Sequence, residues 1–391
     1  MARLLFITDF SEQFAYRLLR GIVEYSSRQE QHWVVCRMPS AYKRQLGLAG
    51  VVKWAKKWKA DVVIGQFDPS EDLSLFRQEG IIVMAQDYIQ KFPGIPNITA
   101  DYDRTGRMAA EHFLAKGFRN FAFFGYRDVC WSDERFWGFR AAITEAGLGD
   151  NLYVYDNQSL DSLWYYESQG LRRWLEQLPK PIAIMACDDN QGSLLLEACA
   201  SCGIKIPDDV CIIGVDNDET LDNLSNPPLS SIDIDIEKGG YEAAEMAARM
   251  MADPADPGED IILKPLSVVT RMSTSIIATK DKEVVRALQY ISRNIDRRIT
   301  VPDILKEVPL SRRLLETRFK KETGHTIYNY ISREKVNRLA FLLLNSNETV
   351  SQIAARMDEP DTKSLSRRFK EIKGCTPVEY RRREKPATRK K

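Results

Sequence analysis

The pattern Leu-x-x-Arg-Phe-Lys-x-x-x-Gly-x-Thr occurs twice near the C-terminus, 50 residues apart. It runs first from Leu315 through Arg318, Phe319, Lys320 and Gly324 to Thr326, and again from Leu365 through Arg368, Phe369, Lys370 and Gly374 to Thr376. Agreement of that depth within one chain signals a duplicated structural unit. Each copy reads as a basic helix closed by a glycine, where a left-handed backbone is needed. A second short helix precedes each copy, so the expected unit is a helix-turn-helix, built to lay its second helix in a DNA groove.

Charge divides along the same line. From Asp281 onward Lys and Arg outnumber Asp and Glu by 27 to 15, a net of +12, which leaves −11 on residues 1–280. A basic tail domain on an acidic body suits nucleic acid as the partner of the tail. At 391 residues the chain has room for two or three domains. Met1-Ala2-Arg3 leads straight into an apolar strand with no leader sequence, and no apolar run approaches the roughly 20 residues of a membrane span. Seven scattered cysteines and no partner pair for Cys199-x-x-Cys202 favour free thiols over zinc or disulfides. The three histidines show no metal-ligand spacing. We therefore expect a cytoplasmic protein without metal or other cofactor, and with no membrane partner.

Before residue 276, short apolar runs alternate with helix-length segments. Strands are expected at Leu4–Thr8, Trp33–Cys36, Val62–Gly65 and Ile81–Ala85, with helices near Phe14–Arg28, Gly50–Lys59 and Leu73–Gln78. A second series opens with a helix at Asp103–Lys116. Strands follow at Phe121–Gly125, Leu152–Tyr155, Ile182–Ala186 and Cys211–Val215, and helices at Phe136–Ala146, Trp164–Leu178 and Gly192–Ser201. Continuously apolar strands alternating with amphipathic helices imply parallel sheets covered on both faces, and two series imply two lobes. Ligands of such sheets bind beyond the carboxyl ends of the strands. The polar residues there are Thr8-Asp9-Phe10, Gln66-Phe67-Asp68, Gln86-Asp87, Cys187-Asp188-Asp189 and Asp216-Asn217. No Gly-x-Gly-x-x-Gly follows a strand and no Gly-x-x-x-x-Gly-Lys-Ser/Thr occurs, so neither phosphate cradle is present. Carboxylates at strand ends can be catalytic, cap helices, or accept hydrogen bonds from sugar hydroxyls, with an arginine donating and an aromatic face covering the ring.

Several stretches of this body resemble the effector domain of LacI/GalR regulators. They include Ile98–Gly106, Arg135-Phe-Trp-Gly138-Phe139, Pro181–Asp189, Gly203–Asn217, Pro228–Ile232, Gly240–Ala244 and Val269–Thr274. Together the matches span nearly residues 3–276. The resemblance implies an α/β two-lobed periplasmic-binding-protein-like domain over residues 1–277 that closes on a sugar-sized ligand. By position it implies that Arg135 grips the ligand and Asp216 binds hydroxyls. It also places Asp87 and Asp188 at ligand positions, with Asp9, Phe10 and Trp131 as further candidates. Cys187 stands where the family has asparagine, and the family's usual N-terminal helix-turn-helix has no counterpart ahead of the first strand.

The C-terminal segment reads as helices at Val284–Asn294, Val301–Glu307, Arg312–Thr323, Ile327–Asn345, Val350–Met357 and Thr362–Lys373. Asp281 and Ser311 are expected caps. In Arg312–Thr323 we expect Leu314, Leu315 and Phe319 in the core, leaving Arg312, Arg313, Glu316, Thr317 and Lys320 for DNA. In Thr362–Lys373 the outward set is Thr362, Lys363, Ser366, Arg367 and Lys370. Arginine reads guanine, while Lys, Ser and Thr hold phosphate. The segment, residues 282–383, resembles the AraC/XylS DNA-binding domain in Ile353-Ala354, Leu365–Lys370, Gly374–Pro377 and Glu379–Arg381. It departs at Asp358-Glu359, where the family has Gly and an aromatic, from which a looser turn and repulsion of nearby phosphates are expected. Residues 384–391 read as a basic tail.

A LacI-like sensor followed by an AraC-type all-α double helix-turn-helix reader is the order found in xylose-operon activators, which the whole chain resembles. The resemblance implies a DNA-binding, sugar-responsive transcription activator with D-xylose as effector. Its implied partners are an operator in double-stranded DNA, a second copy of the chain paired through the sensor domains, and RNA polymerase. Another pentose, a hexose or a nucleoside remains open as effector. The rival from a different class is a sugar-modifying α/β enzyme carrying a DNA module, and sugar turnover would distinguish it.

Overall fold

Strands that are apolar along their whole length need cover on both faces, and the fold supplies it twice. The computed structural model describes residues 2–8, 13–29, 33–155, 168–218, 221, 225–275, 281–346, 348–359 and 361–384. In the first sheet lie β1 (Arg3–Thr8), β2 (Val34–Pro39), β3 (Val62–Gly65), β4 (Ile82–Gln86), β5 (Asn97–Ala100) and β11 (Ile261–Leu263). They run parallel in the order β2-β1-β3-β4-β5-β11. The second sheet holds β6 (Phe121–Phe124), β7 (Leu152–Val154), β8 (Ile182–Ala186), β9 (Val210–Val215), β10 (Ser230–Ile234) and β12 (Pro265–Val269). Its order is β7-β6-β8-β9-β10-β12, parallel except for the antiparallel edge strand β12. Every residue of β3, β6, β8 and β9 is buried, as sheets sandwiched between helix layers require.

The first sheet is flanked by α1 (Gln13–Arg28), α2 (Ser40–Trp58) and α3 (Ser74–Gln78), the second by α4 (Tyr102–Ala115), α5 (Cys130–Glu145), α6 (Ser168–Gln177) and α7 (Asp189–Ser201). A further helix, α8 (Ile236–Ala252), returns the chain from β10 to the first sheet. The chain thus passes between lobes after β5, after β10 and between β11 and β12. These crossings are stitched together, with Asp101 N donating to Leu263 O (2.9 Å) and Asp235 N to Lys264 O (3.0 Å). Three short connections side by side form a hinge.

Two helix pairs approach backbone to backbone. A Cβ on Gly106 of α4 would lie 2.0 Å from the carbonyl oxygen of Arg135, and one on Gly138 of α5 would lie 2.0 Å from that of Asp103. Gly21 of α1 and Gly240 of α8 make the equivalent contact in the first lobe.

Helices α2 and α5 begin earlier than their periodicity predicts. The first turns of α2 expose their side chains, and Gly47, at φ 64°, breaks the helix before the buried stripe begins at Val51. In α5 the first turns carry Trp131, Ser132 and Arg135 inward, which spoils the amphipathic signal. The strands β5, β10, β11 and β12 and the helix α8 were not among the elements expected from periodicity. The expected Trp164–Leu178 helix starts within the described residues at Ser168.

By its contacts the chain divides into one unit of Met1–His112 with Asn120–Ser273 and a second of Phe113–Arg119 with Thr274–Lys391. Among the described residues from 281 onward lie seven helices: α9 (Lys282–Arg293), α10 (Val301–Glu307), α11 (Arg312–Thr323), α12 (Ile327–Asn345), α13 (Val350–Arg356), α14 (Thr362–Lys373) and α15 (Pro377–Glu384). The second unit has two small cores. Ile327, Tyr330 and Ile331 of α12 belong to the first, while Val336, Leu339, Leu342 and Leu343 belong to the second. One helix therefore closes the first repeat and opens the second.

The repeat is legible atom by atom. Gly324 (φ 72°) and Gly374 (φ 74°) end α11 and α14 in the left-handed region, each N–H bonding the lysine carbonyl four residues back. Phe319 meets Tyr330 edge-on at 5.5 Å, and Phe369 meets Tyr380 at 5.3 Å. Thr300 and Thr349 each form a capping box, with Asp303 and Gln352 as the reciprocal partners. Those boxes are 49 residues apart against 50 for the reader helices, so the second turn holds one extra residue. Asp358, at φ 50°, absorbs it.

Gly106→Ala is expected to destabilise the first unit by about 1–3 kcal/mol through overpacking. The carbonyl it would meet is backbone and cannot swing aside, so the contact outweighs the roughly 1 kcal/mol of helix propensity gained. All seven tryptophans lie between Trp33 and Trp174, so urea unfolding followed by tryptophan fluorescence reads this unit. A midpoint equal to or above that of the parent would refute the close-packing argument.

Candidate functional site

Five of the ligand candidates converge. Asp87 at the end of β4, Trp131 and Arg135 on α5, Asp188 after β8 and Asp216 after β9 line one pocket at the carboxyl ends of the strands of both lobes. The other two, Asp9 and Phe10, lie outside the described residues. Sequence reasoning had noted Gln66, Gln86 and Asp189 as strand-end polar groups, and all three line the pocket. It missed Gln13, Phe14, Tyr88, Tyr102, Asn190, Asp218 and Leu221.

Arg135 is the centre of the pocket. Its residue is 3 % exposed, and its guanidinium lies 5.2 Å from the ring centroids of both Tyr102 and Trp131. Nη1 donates to the carbonyl of Cys187 at 2.5 Å and Nη2 stands 3.4 Å from Asp216 Oδ1. Burial works against its charge, but the carboxylate of Asp216 and the other anionic groups nearby outweigh it and hold its pKa above the ordinary value. Its Nε is buried without a hydrogen-bond partner. Unpaired buried donors are costly. The thiol of Cys187, by contrast, is fully buried and does not line the pocket, so its carbonyl is what serves the site.

The carboxylates are tuned by burial. Asp87, 5 % exposed, accepts a hydrogen bond from Tyr102 Oη at 2.8 Å, yet desolvation pushes its pKa up to about 6. Asp188 caps α7 by accepting from Gln191 N at 2.7 Å, and burial likewise raises it to about 6. Asp189 is raised well above the carboxylate range by burial and is tied to Ser231 Oγ (2.6 Å) and Asp218 N (2.8 Å).

Asp216 and Asn217 both adopt positive φ, 97° and 53°. Such strain persists only where the surroundings over-determine it, typically at ligand sites. Here Asp216 N donates to Ile232 O, Asn217 N to Ser231 Oγ, and Asn217 Oδ1 accepts from Arg271 Nη2 at 2.6 Å. The pocket thus presents one buried cation, several carboxylates and aromatic surface from Phe14 and Trp131. It suits a neutral polyhydroxylated ring and opposes an anion.

The reader helices carry their candidates outward. On α11, Arg312, Arg313, Thr317 and Lys320 are exposed and Glu316 is half-exposed; on α14, Lys363, Arg367 and Lys370 are exposed and Thr362 and Ser366 half-exposed. Arg312 Nε pairs with Glu316 Oε1 at 2.9 Å, and Thr317 Oγ1 donates to the Arg313 carbonyl at 2.8 Å. Ser311 caps α11, as expected, and Asp281 accepts from the backbone of Glu283 and Val284 at the start of α9. The expectation that Leu314 joins the core is corrected: Leu315 and Phe319 are fully buried, but Leu314 is 40 % exposed. Five residues separate it from Phe319, which puts them about 140° apart on a helix.

The motif arginines contact neighbouring elements, Arg368 more firmly than Arg318. Arg318 stands 3.4 Å from Asp281, and Arg368 donates to Ser332 Oγ and Glu359 at 3.2 Å each. Glu359 also pairs with Lys335, only 2 % exposed, on α12. The departure at Asp358-Glu359 therefore does not loosen the turn. Glu359 is neutralised between two cations, and the repulsion of phosphates expected from it does not follow.

Known proteins share both parts. Residues 110–274 match the model of a periplasmic binding protein-like domain, and residues 304–383 that of a helix-turn-helix domain. The xylose operon regulatory protein of Haemophilus influenzae is 30% identical over 331 residues, covering 82% of this chain and 84% of its own. The protein of the same name from Escherichia coli K12 is 27% identical over 393 residues, covering 97% and 96%. A solved structure described as the xylose-binding transcription activator xylR superposes with a TM-score of 0.63 at 27% identity, covering 97% of both chains.

Glu359→Gln leaves Lys335 buried without its counter-charge, and is expected to destabilise the second unit by about 3–5 kcal/mol. Arg318→Gln, at a side chain 42% exposed, is expected to cost less than about 1 kcal/mol. Helical circular dichroism in urea reads both, since tryptophan fluorescence follows the other unit. Equal costs for the two variants would contradict the buried-pair assignment.

Proposed function

The chain belongs to the family of xylose operon regulatory proteins, and from that premise we propose that it is a sugar-responsive DNA-binding regulator of xylose genes with D-xylose as its effector. The observation that carries the effector reading is the convergence of Arg135, Asp87, Asp188, Asp216 and Trp131 on one pocket. Sugar hydroxyls would donate to Asp216, Asp188 and Asp87 and accept from Arg135, while Phe14 and Trp131 cover apolar ring surface. A phosphorylated or acidic sugar would meet several carboxylates for each cation. Asp9 and Phe10 stay candidates on the strength of the resemblance.

The protein acts as an activator in the cytoplasm, without catalytic turnover of its effector. It pairs with a second copy through the sensor domains and contacts RNA polymerase. No described helix is long and apolar enough to cross a membrane. The proposed domains are a sensor over 1–277, a reader over 282–383 and a basic tail over 384–391, of which residues 385–391 lie outside the described residues. Helices α11 and α14 enter successive major grooves, their spacing set by the shared α12, about 28 Å long at the usual rise. Arg313 reads a base; Lys320 and Lys370 hold phosphate; Arg312, Glu316, Thr317, Thr362, Lys363, Ser366 and Arg367 complete the two surfaces.

Asp216→Ala and Arg135→Ala are each expected to weaken D-xylose binding by roughly 1.5–3 kcal/mol, tenfold or more, while DNA binding persists. The parent's affinity is expected to fall as pH drops through about 6, because Asp87 and Asp188 then take up protons and lose the charge that strengthens their acceptance from hydroxyls. Linkage limits the loss to about tenfold per pH unit for each carboxyl that must be ionised. Calorimetry at pH 7.5 and 5 tests both. Unchanged affinity in the folded variants, or a Kd independent of pH, would reject these site assignments.

For the reader, Arg313→Ala is expected to cost about 1–3 kcal/mol and relax preference at one base position. Lys370→Ala should weaken binding evenly across sequences and lower the salt slope by about one unit. Binding to a randomised operator library at two salt concentrations separates the two. Intact base preference in the Arg313 variant would show that it is not a reader.

A further inference from the structure

Arg17 lies on α1, one turn beyond Gln13 and Phe14, which line the pocket. Its side chain is 11% exposed, and all its donors are engaged. Nε faces both carboxylate oxygens of Glu237 at 2.9 Å. Nη1 donates to Asp233 Oδ1 (3.0 Å) and to the main-chain carbonyl of Asp216 (2.8 Å). Nη2 donates to Ile234 O (2.9 Å) and to Glu237 (2.8 Å). Glu237 opens α8 of the first lobe, whereas Asp216, Asp233 and Ile234 belong to the second lobe. One guanidinium thus joins the lobes beside the hinge residue Asp235 and holds the carbonyl of the strained, positive-φ Asp216.

We propose that Arg17 is a positioning residue for sugar recognition, fixing Asp216 in its ligand-binding conformation and tying that conformation to the helix that brings Gln13 and Phe14 to the ligand. Gln13, Phe14 and Arg17 sit four and three residues apart, so they share one face of α1. Movement of the 216–217 turn on ligand engagement is passed to that face through Nη1, with no contact between Arg17 and the ligand. The planar fork matters, because a lysine has three donors on one atom and cannot serve Glu237, Asp233 and two carbonyls together.

The inference rests on Asp216 being a hydroxyl acceptor, and a double-mutant cycle in the full-length protein separates the two claims. D-Xylose affinity is measured for the parent, Arg17→Lys, Asp216→Ala and the double variant, with operator binding in the absence of sugar as the control for folding. Arg17→Lys is expected to lose about tenfold or more in affinity alone and to add less than about twofold to Asp216→Ala. The cycle discriminates because Asp216→Ala keeps the carbonyl that Arg17 grips, so a merely structural loss would persist in the double variant. Additive losses, or an Arg17→Lys protein with normal affinity, would overturn the positioning role. Normal affinity in Asp216→Ala would overturn the site reading beneath it and the inference with it. If Arg17→Lys fails to fold, Glu237→Gln enters the same cycle, since it keeps the arginine and removes the charge at Nε. The same non-additivity is expected there, and additivity would again refute the proposal.

Discussion

A buried guanidinium with one nitrogen left unpartnered governs the sensor. Removing a charge from water is expensive unless it is paired and hydrogen-bonded, so Arg135 dictates much of what surrounds it. Two aromatic planes enclose it, a carbonyl takes one nitrogen, and Asp216 supplies the opposing charge. The helix that carries it is pressed against α4 through Gly106 and Gly138, which leaves the side chain little freedom to withdraw. Asp216 must in turn be held in a strained backbone state, and the clamps from Ile232, Ser231, Arg271 and Arg17 do that.

The DNA-reading unit solves a different problem. A single helix-turn-helix of this size has too little core to be rigid, and duplication helps only if the copies keep a fixed spacing. Sharing α12 between the two cores achieves this, since its Tyr330 end packs beside Phe319 and its other end beside Leu365 and Phe369. Arg368 of the repeated motif, which composition alone would assign to DNA, braces the packing instead. In the second repeat the extra turn residue is absorbed by Asp358, and the Lys335–Glu359–Arg368 cluster anchors the turn to α12.

Local signals made the helical unit readable. Ser311, Gly324, Thr326 and Gly374 are caps whose chemistry acts within four residues, and α10, α11, α12 and α14 have the limits that such signals imply. Leu314 was misjudged because it lies about 140° around the helix from Phe319, off the core face. In the sensor, uniformly apolar strands announced the sheets, but β10, α8 and the two strands after it carry mixed patterns. The pocket was reached differently. Arg135 and Asp216 came from resemblance to LacI/GalR effector domains, not from spacing. Tyr102, Arg17 and Glu359 had no local signature at all. Tyr102 reads as a helix-start aromatic and Arg17 as a solvated helix face, and Glu359 meets Lys335 across 24 residues. Their roles exist only once the chain has folded.

The central claim is that the first unit binds a neutral sugar, reversibly and without changing it. Calorimetric titration of the full-length protein against neutral pentoses and hexoses and their phosphates, with the sugar recovered and analysed, tests that claim most directly. The account predicts saturable binding of D-xylose, no binding of the phosphorylated sugars, and recovery of unaltered ligand. Preferential binding of a phosphorylated sugar, binding of none of them, or a transformed product would contradict it.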